Sequence, residues 1–219
     1  MRWLDFTDGK LIDRRREILK CLALITMLID HIGMVFFPEV SALRIIGRIA
    51  FPLYAWLIAT GMDYTRNRFR YLCRLLILAV VSQFGFAVFY PGRVNIIFTF
   101  AIALCAGHIW GKGHRPLAFL LGLITLIAPI EYGLYGLLTV MIMRYMEHRK
   151  IIGGMLFVLL SCVYCISTEN PVQVFAVFAL PFILFVPSHS KIRLPDWLWR
   201  WFYPVHFVIL YGVRLLCVR

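Results

Sequence analysis

Nine apolar runs follow one another along this chain with very little between them. They lie at approximately 17–37, 44–62, 71–90, 94–110, 116–130, 133–147, 151–167, 172–187 and 198–217. A helix needs about 20 mostly apolar residues to cross hydrocarbon, so nine spans take roughly 180 positions. The chain has 219 residues, which leaves short loops and no room for a separate soluble catalytic domain. The separators carry helix breakers: Phe37-Pro38, Tyr90-Pro91-Gly92, Gly111-Lys112-Gly113, Asn170-Pro171 and Val186-Pro187-Ser188. Inside a bilayer every backbone polar group must be satisfied within its own segment, which favours helices. The expectation is an all-α integral membrane protein, a polytopic bundle of about nine transmembrane helices. No internal repeat or low-complexity tract is visible.

The composition agrees with that layout. The chain is 62% hydrophobic and 16% charged, against roughly 25% charged for a soluble domain. Its net charge is +12, from 23 basic and 11 acidic residues. These charges fall between the apolar runs instead of forming a stripe, so topology explains them better than nucleic acid does, and no nucleic-acid partner is expected. The separators alternate. One set holds Arg14, Arg15, Arg16 and Lys20; Arg66, Arg68, Arg70 and Arg74; Lys112 and Arg115; Arg144, Arg149 and Lys150; and Lys191, Arg193 and Arg200. The other set (PEVSA, PGRV, IEYG and STENPV) offers only Arg93. The positive-inside rule makes the first set cytoplasmic, with the N-terminus inside and the C-terminus outside.

The six cysteines lie within or at the edges of apolar runs and do not form a disulfide framework. Cys162-x-x-Cys165 has redox or zinc spacing, but no second pair accompanies it, and packing in a helix is the simpler reading. The first run follows a basic cluster as a signal peptide does. It contains Asp30-His31, however, and no small-residue cleavage site follows, so it reads as an uncleaved span.

Ionisable groups in hydrocarbon are expensive, about 2.5–3.5 kcal/mol each on insertion scales, and are functional candidates for that reason. The alternation sorts them by depth. Asp30 and His31 fall toward the outer end of the first run, and Arg44 and Arg48 in the outer half of the second. Gln83 is in the outer half of the third, Asn95 opens the fourth from outside, and Glu131-Tyr132 sits at the outer turn after the fifth. His206 lies near mid-depth in the last, one turn from Tyr203. Polar groups from at least six runs thus share a level, which scattered structural residues would not do. Asp30, His31 and His206 are the candidate catalytic residues. Arg44, Arg48, Gln83, Asn95, Glu131, Tyr132 and Tyr203 are the candidate substrate-binding ones.

Arg44 and Arg48 are four apart and share a helix face. Their guanidinium forks suit a phosphate, a carboxylate or the nearby acids; the structural alternative is that they pair with Asp30 and Glu131 to hold the bundle together. Asp30 and His31 project about 100° apart, so one can face an arginine while the other faces a reaction centre. A histidine is the usual general base for an attacking amine or hydroxyl; the alternative for His31 and His206 is a helix–helix hydrogen bond. His108, His114, His148 and His189 map to cytoplasmic edges, and no metal site is expected. The glycines Gly33, Gly47, Gly61, Gly133 and Gly136 read as close helix approaches. The WLWRWFY run at 197–203 reads as an interfacial aromatic belt.

Several of these pieces come in a familiar order: Leu28-Ile29-Asp30-His31-Ile32, then Gly47-Arg48-Ile49-Ala50-Phe51-Pro52-Leu53-Tyr54-Ala55, Ser82-Gln83, and Asn95-Ile96-Ile97-Phe98. Tyr132-Gly133 with Gly136 and a closing Phe202-Tyr203-x-x-His206 complete the set. Together they resemble the TraX family, whose namesake acetylates the N-terminus of conjugative pilin; Gly-Arg-x-Ala-Phe-Pro is the most distinctive block. The resemblance implies a single transmembrane acyltransferase domain over 1–219 in the bacterial cytoplasmic (inner) membrane. It implies a donor, acetyl-CoA or another acyl-CoA, and an acceptor peptide N-terminus, amino compound or sugar. Carried over by position, Asp30, His31, Arg48, Asn95, Tyr132 and His206 belong to the site.

The expected chemistry has His31 or His206 taking the acceptor's proton, or carrying the acyl group, with Arg48 and Asn95 orienting the pair or stabilising the oxyanion. The acceptor is expected from the outer side, and the basic loop Arg66 to Arg74 is a candidate for the donor's phosphates. A proton-coupled transporter or flippase, with Asp30, His31, Arg48 and Glu131 as a relay, is the alternative; such folds usually show repeats with paired broken helices, absent from this sequence. An assembly protein without chemistry is the third reading, disfavoured by the expense of so many ionisable groups at one depth.

Overall fold

The computed structural model describes residues 14–186 and 193–217, and the positions 187 to 191 read above as a separator, with His189 and Lys191, lie outside the described residues. Those described are helical throughout apart from short connections and one isolated bridge, Val94 to Ile130. The helices are α1 (Arg14–Phe36), α2 (Ser41–Gly47), α3 (Ala50–Tyr64), α4 (Arg68–Phe89), α5 (Ile96–Gly111), α6 (Arg115–Ile127), α7 (Gly133–Met146) and α8 (Lys150–Thr168). A 3-10 helix, Pro171–Phe178, then runs directly into α9 (Ala179–Phe185), and α10 (Asp196–Cys217) closes the fold.

With α2 joined to α3, and the 3-10 helix to α9, these rods follow the nine apolar runs in order. Among the described residues four segments, Arg15–Phe36, Ser41–Tyr64, Arg68–Phe89 and Lys150–Thr168, are long and apolar enough to cross a membrane. Four others, Ile96–Gly111, Arg115–Ile127, Gly133–Met146 and Pro171–Phe185, are apolar but shorter. At 1.5 Å per residue a rod of that size falls short of a hydrocarbon layer about 30 Å thick. α10 has the length, but carries Asp196, Arg200 and Arg214.

The second run is broken at Arg48-Ile49, and Pro52 explains why. Proline has no N–H for the carbonyl of residue 48, and its ring crowds that carbonyl. Both break residues keep right-handed dihedrals, and the Arg48 N–H reaches the carbonyls of Arg44 and Ile45 at 3.2 Å. The axis therefore loosens without turning away. The eighth run opens as a 3-10 helix where Pro171 starts it, with Pro181 a little further on in α9.

α1 packs along α2 and α3; α7 lies against α3, α5, α6 and α8; α4 packs on α5 and α10. Trp56, Phe100, Met143, Phe157 and Phe207 are fully buried between these rods. Gly47 is where α2 meets α1: any Cβ there would overlap the Asp30 side chain, so the absence of a side chain lets the arginine-bearing turn close onto Asp30. The outer surface is apolar, with Ile127, Ile151 and Ile166 about 80% exposed. On a soluble protein such a surface is a liability; against lipid it is the expected one.

Candidate active site

A cavity of about 570 Å³ runs through the bundle between α1, α3, α4 and α10. At one end its walls include Arg16, Lys20, Arg74, Arg193 and Arg200; at the other they include Asp30, His31, Glu131, Tyr132 and Tyr203. Arg16 and His31 are both on α1, so the two ends stand about 22 Å apart along that helix. Between them the lining is mostly apolar and aromatic, with Phe51, Tyr54 and Phe100 among it. That is the usual make-up of a ligand pocket: an apolar barrel with a few convergent polar groups.

At the end away from the arginines, Nδ1 of His31 lies 2.7 Å from Nε2 of His206, with the rings nearly parallel. Both side chains are buried. Nδ1 of His206 lies 3.0 Å from the Phe202 carbonyl oxygen. A carbonyl only accepts, so His206 carries its proton on Nδ1 and its Nε2 must accept. His31 then donates from Nδ1, and the lone pair of its neutral ring is on Nε2. His31 lines the cavity, whereas His206 stands behind it, packed on Phe202 and Phe207. The sequence left the two histidines interchangeable; the hydrogen-bond chain gives them different parts.

Asp30 does not hold His31. Its carboxylate oxygens accept from Nη2 of Arg48 at 2.7 and 2.9 Å and form an ion pair with Nη1 of Arg44 at 2.9 Å, which donates to the Asp30 carbonyl at 3.2 Å. The other Arg48 nitrogen donates to the Tyr132 hydroxyl at 3.1 Å and to Oε1 of Gln173 at 3.2 Å, while Nε donates to the Arg44 carbonyl at 3.3 Å. Gln173 in turn reaches the Tyr135 hydroxyl, which meets Ser161 at 3.3 Å. This layer ties α1, α2, α7, α8 and the 3-10 helix together at one level. Asp30 faces the large cavity, while Arg44 and Arg48, with Ser41, Asn170 and Val172, border a separate cavity of about 130 Å³.

Tyr132 is held in the left-handed region, at φ 61° and ψ −13°, immediately before α7. A tyrosine there is uncommon, and such a conformation costs on the order of 1–3 kcal/mol. It is kept in place by Arg48 and by stacking on Phe51 at 4.3 Å. Its hydroxyl oxygen accepts from Arg48, so its O–H remains available to donate. Glu131, one residue earlier, lines the same end.

Gln83 and Asn95 are joined to each other. Oε1 of Gln83 accepts from the Asn95 backbone at 3.0 Å and from Nδ2 at 2.9 Å, while Nε2 of Gln83 donates to the Arg93 carbonyl. Asn95 also caps α5 by accepting from the Ile97 N–H at 3.0 Å. They pin α4 to the start of α5, and neither lines the cavity. Of Arg66, Arg68, Arg70 and Arg74, only Arg74 lines it, one turn from Tyr71, which lines it too. Among the described residues no group of three His, Cys, Asp or Glu side chains could hold a metal ion. Gln173 and Tyr135, both buried, are site residues that sequence reading missed.

The family description "TraX protein" matches residues 15–214. The chain belongs to the TraX family. Its TraX relatives include Protein TraX of Escherichia coli, 30% identical over 69% of this chain and 64% of that protein. Protein TraX of Escherichia coli strain K12 is 35% identical over 62% of this chain and 56% of that protein. The chain thus spans less than two thirds of either TraX protein. The probable fimbrial assembly protein FimC, serogroup H1, of Dichelobacter nodosus is 26% identical over 90% of this chain and 94% of that protein. No solved structure matches.

Proposed function

We propose that this TraX-family protein is a multi-pass acyltransferase of the bacterial cytoplasmic membrane, moving an acyl group, most simply acetyl, from acyl-CoA to an acceptor amine or hydroxyl. The observation that carries the reading is the position of His31 at the far end of a cavity whose other end is basic. By the alternation of charged separators, the basic end is cytoplasmic. Arg16, Lys20, Arg74, Arg193 and Arg200 suit the phosphates of a nucleotide. A thioester arm from there lies along the apolar barrel and brings its carbonyl to the level of His31.

In the step so proposed, Nε2 of His31 takes the proton from the acceptor as its nitrogen or oxygen attacks the thioester carbonyl. The proton on Nδ1 of His31 stays shared with His206, which fixes the ring. The oxyanion receives the O–H of Tyr132, polarised by Arg48. When the carbon–sulfur bond breaks, the thiolate leaves with the proton from His31. Asp30 holds Arg48, which positions Tyr132.

Purified protein is expected to release thiol from acetyl-CoA slowly and saturably, followed with a thiol reagent. Arg74→Ala is expected to raise KM for acetyl-CoA roughly tenfold, about 1.4 kcal/mol for one lost charged contact, and to leave kcat close to normal. Absence of any turnover, or a KM indifferent to Arg74 and Arg193 alike, would contradict this reading.

A further inference from the structure

The basic end of the cavity contains a buried acid. Glu17 lines it beside Arg16, Lys20, Arg74, Arg193 and Arg200, and is 6% exposed. Asp196 lines it too, but is exposed and faces Arg200 at 3.7 Å. A carboxylate at this end repels the phosphates that the cations suit, and a buried charge persists only where it is paired. Oε1 of Glu17 accepts from Nζ of Lys20 at 2.6 Å, and Oε2 accepts from the backbone N–H of Leu194 at 2.9 Å. The second bond joins α1 to backbone 177 residues further along the chain. Pro195 follows Leu194, and its carbonyl accepts from the Trp199 N–H at 3.2 Å as α10 begins. Proline fixes its own φ and restricts the residue before it to extended backbone. Few free dihedrals therefore separate the Leu194 N–H from the opening turns of α10, which carry Trp199 and Arg200. Arg193 stands directly on its other side.

We propose that Glu17 is a positioning residue of the donor site: it fastens the Arg193–Leu194 backbone to α1, so that Arg193 and Arg200 stand at the basic end together with Arg16 and Lys20. The proposal deepens the acyl-transfer reading given above and rests on it. The bond to Lys20 offsets the charge that would oppose the phosphates. It also holds Nζ of Lys20 5.8 Å from the centre of the Trp199 ring, which stacks on Tyr54 at 5.1 Å. One acid, a cation on the next turn and two aromatic rings thus tie α1, α3 and α10 together at the level where a nucleotide would sit. Glu17 touches no reacting atom, since His31 is about 21 Å further along α1. Its effect therefore falls on donor binding and not on the proton transfer.

The test compares Glu17→Gln with Glu17→Leu in the full chain, following thiol release from acetyl-CoA. Both variants delete the same negative charge, and only Gln keeps an oxygen that can accept from Leu194. Glu17→Gln is expected to hold KM for acetyl-CoA at or below the wild-type value, because a repelling charge is gone while the backbone bond remains. Glu17→Leu is expected to raise KM about tenfold, with kcat in both variants close to normal. Should Glu17→Leu fail to fold, Glu17→Ala makes the same comparison. Equal KM in the Gln and Leu variants, or a fall in kcat with KM unmoved, overturns the proposal. If wild-type protein turns over no acetyl-CoA, it is the transferase reading that fails. The clasp is then judged alone by hydrogen exchange of the backbone amides at 193, 194 and 196–199. Faster exchange in the Leu variant but not in the Gln variant supports it, and exchange indifferent to both overturns it.

Discussion

His31→Ala is expected to lower acetyl transfer by about 10²–10⁴-fold, the range a positioned general base supplies, with the protein still folded. The imidazole is buried at the cavity end and its Nδ1 is bound to His206, so its loss removes the proton acceptor and leaves Nε2 of His206 without a donor. An unmet buried acceptor costs about 1–3 kcal/mol, which lowers the unfolding midpoint without abolishing the fold. His206 acts through His31, and its variants separate by chemistry more than by size. His206→Gln keeps an oxygen that can accept from His31 and is expected to retain at least tenfold more kcat than His206→Leu, which cannot. KM for acetyl-CoA is expected to change little in either. Similar activity in Gln and Leu variants of equal stability would show that His206 merely packs.

The second large effect concerns stability. Asp30→Ala leaves the Arg48 guanidinium buried without its carboxylate, and Arg44 loses the same partner. Removing one member of a buried ion pair costs about 3–5 kcal/mol, so the unfolding transition in detergent should shift strongly. Asp30→Leu combined with Arg48→Met removes both charges and is expected to recover most of that stability. It should not recover activity, because Tyr132 then loses the group that holds and polarises it. Recovery of both stability and turnover would mean that the Asp30–Arg48 pair is only a clamp between helices.

Much of this arrangement can be read from residues alone. The order of the rods follows from the apolar runs, and the shared level of Asp30, His31, Arg48, Glu131 and Tyr132 follows from the alternating separators. What the sequence withholds depends on lateral placement. Hydropathy does not register hydrogen bonding, so the break at Arg48-Ile49 passes unseen although Pro52 stands four residues on from Arg48. Gln173 follows Asn170-Pro171 at the level of the other site residues, but a single amide in a run that reads as apolar carries no signal of its own. Gln83 and Asn95 share the level but are turned toward each other, which depth cannot distinguish from facing a ligand. The different parts of His31 and His206 depend on one carbonyl, that of Phe202, and no spacing rule shows which ring nitrogen it meets.

The most direct measurement is a structure of the protein with a non-hydrolysable acetyl-CoA analogue. The account predicts the nucleotide at Arg16, Lys20, Arg74 and Arg193, and the carbonyl within hydrogen-bonding reach of the Tyr132 hydroxyl and close to Nε2 of His31. An analogue bound away from this cavity, or lying in it with its carbonyl far from both side chains, would contradict it.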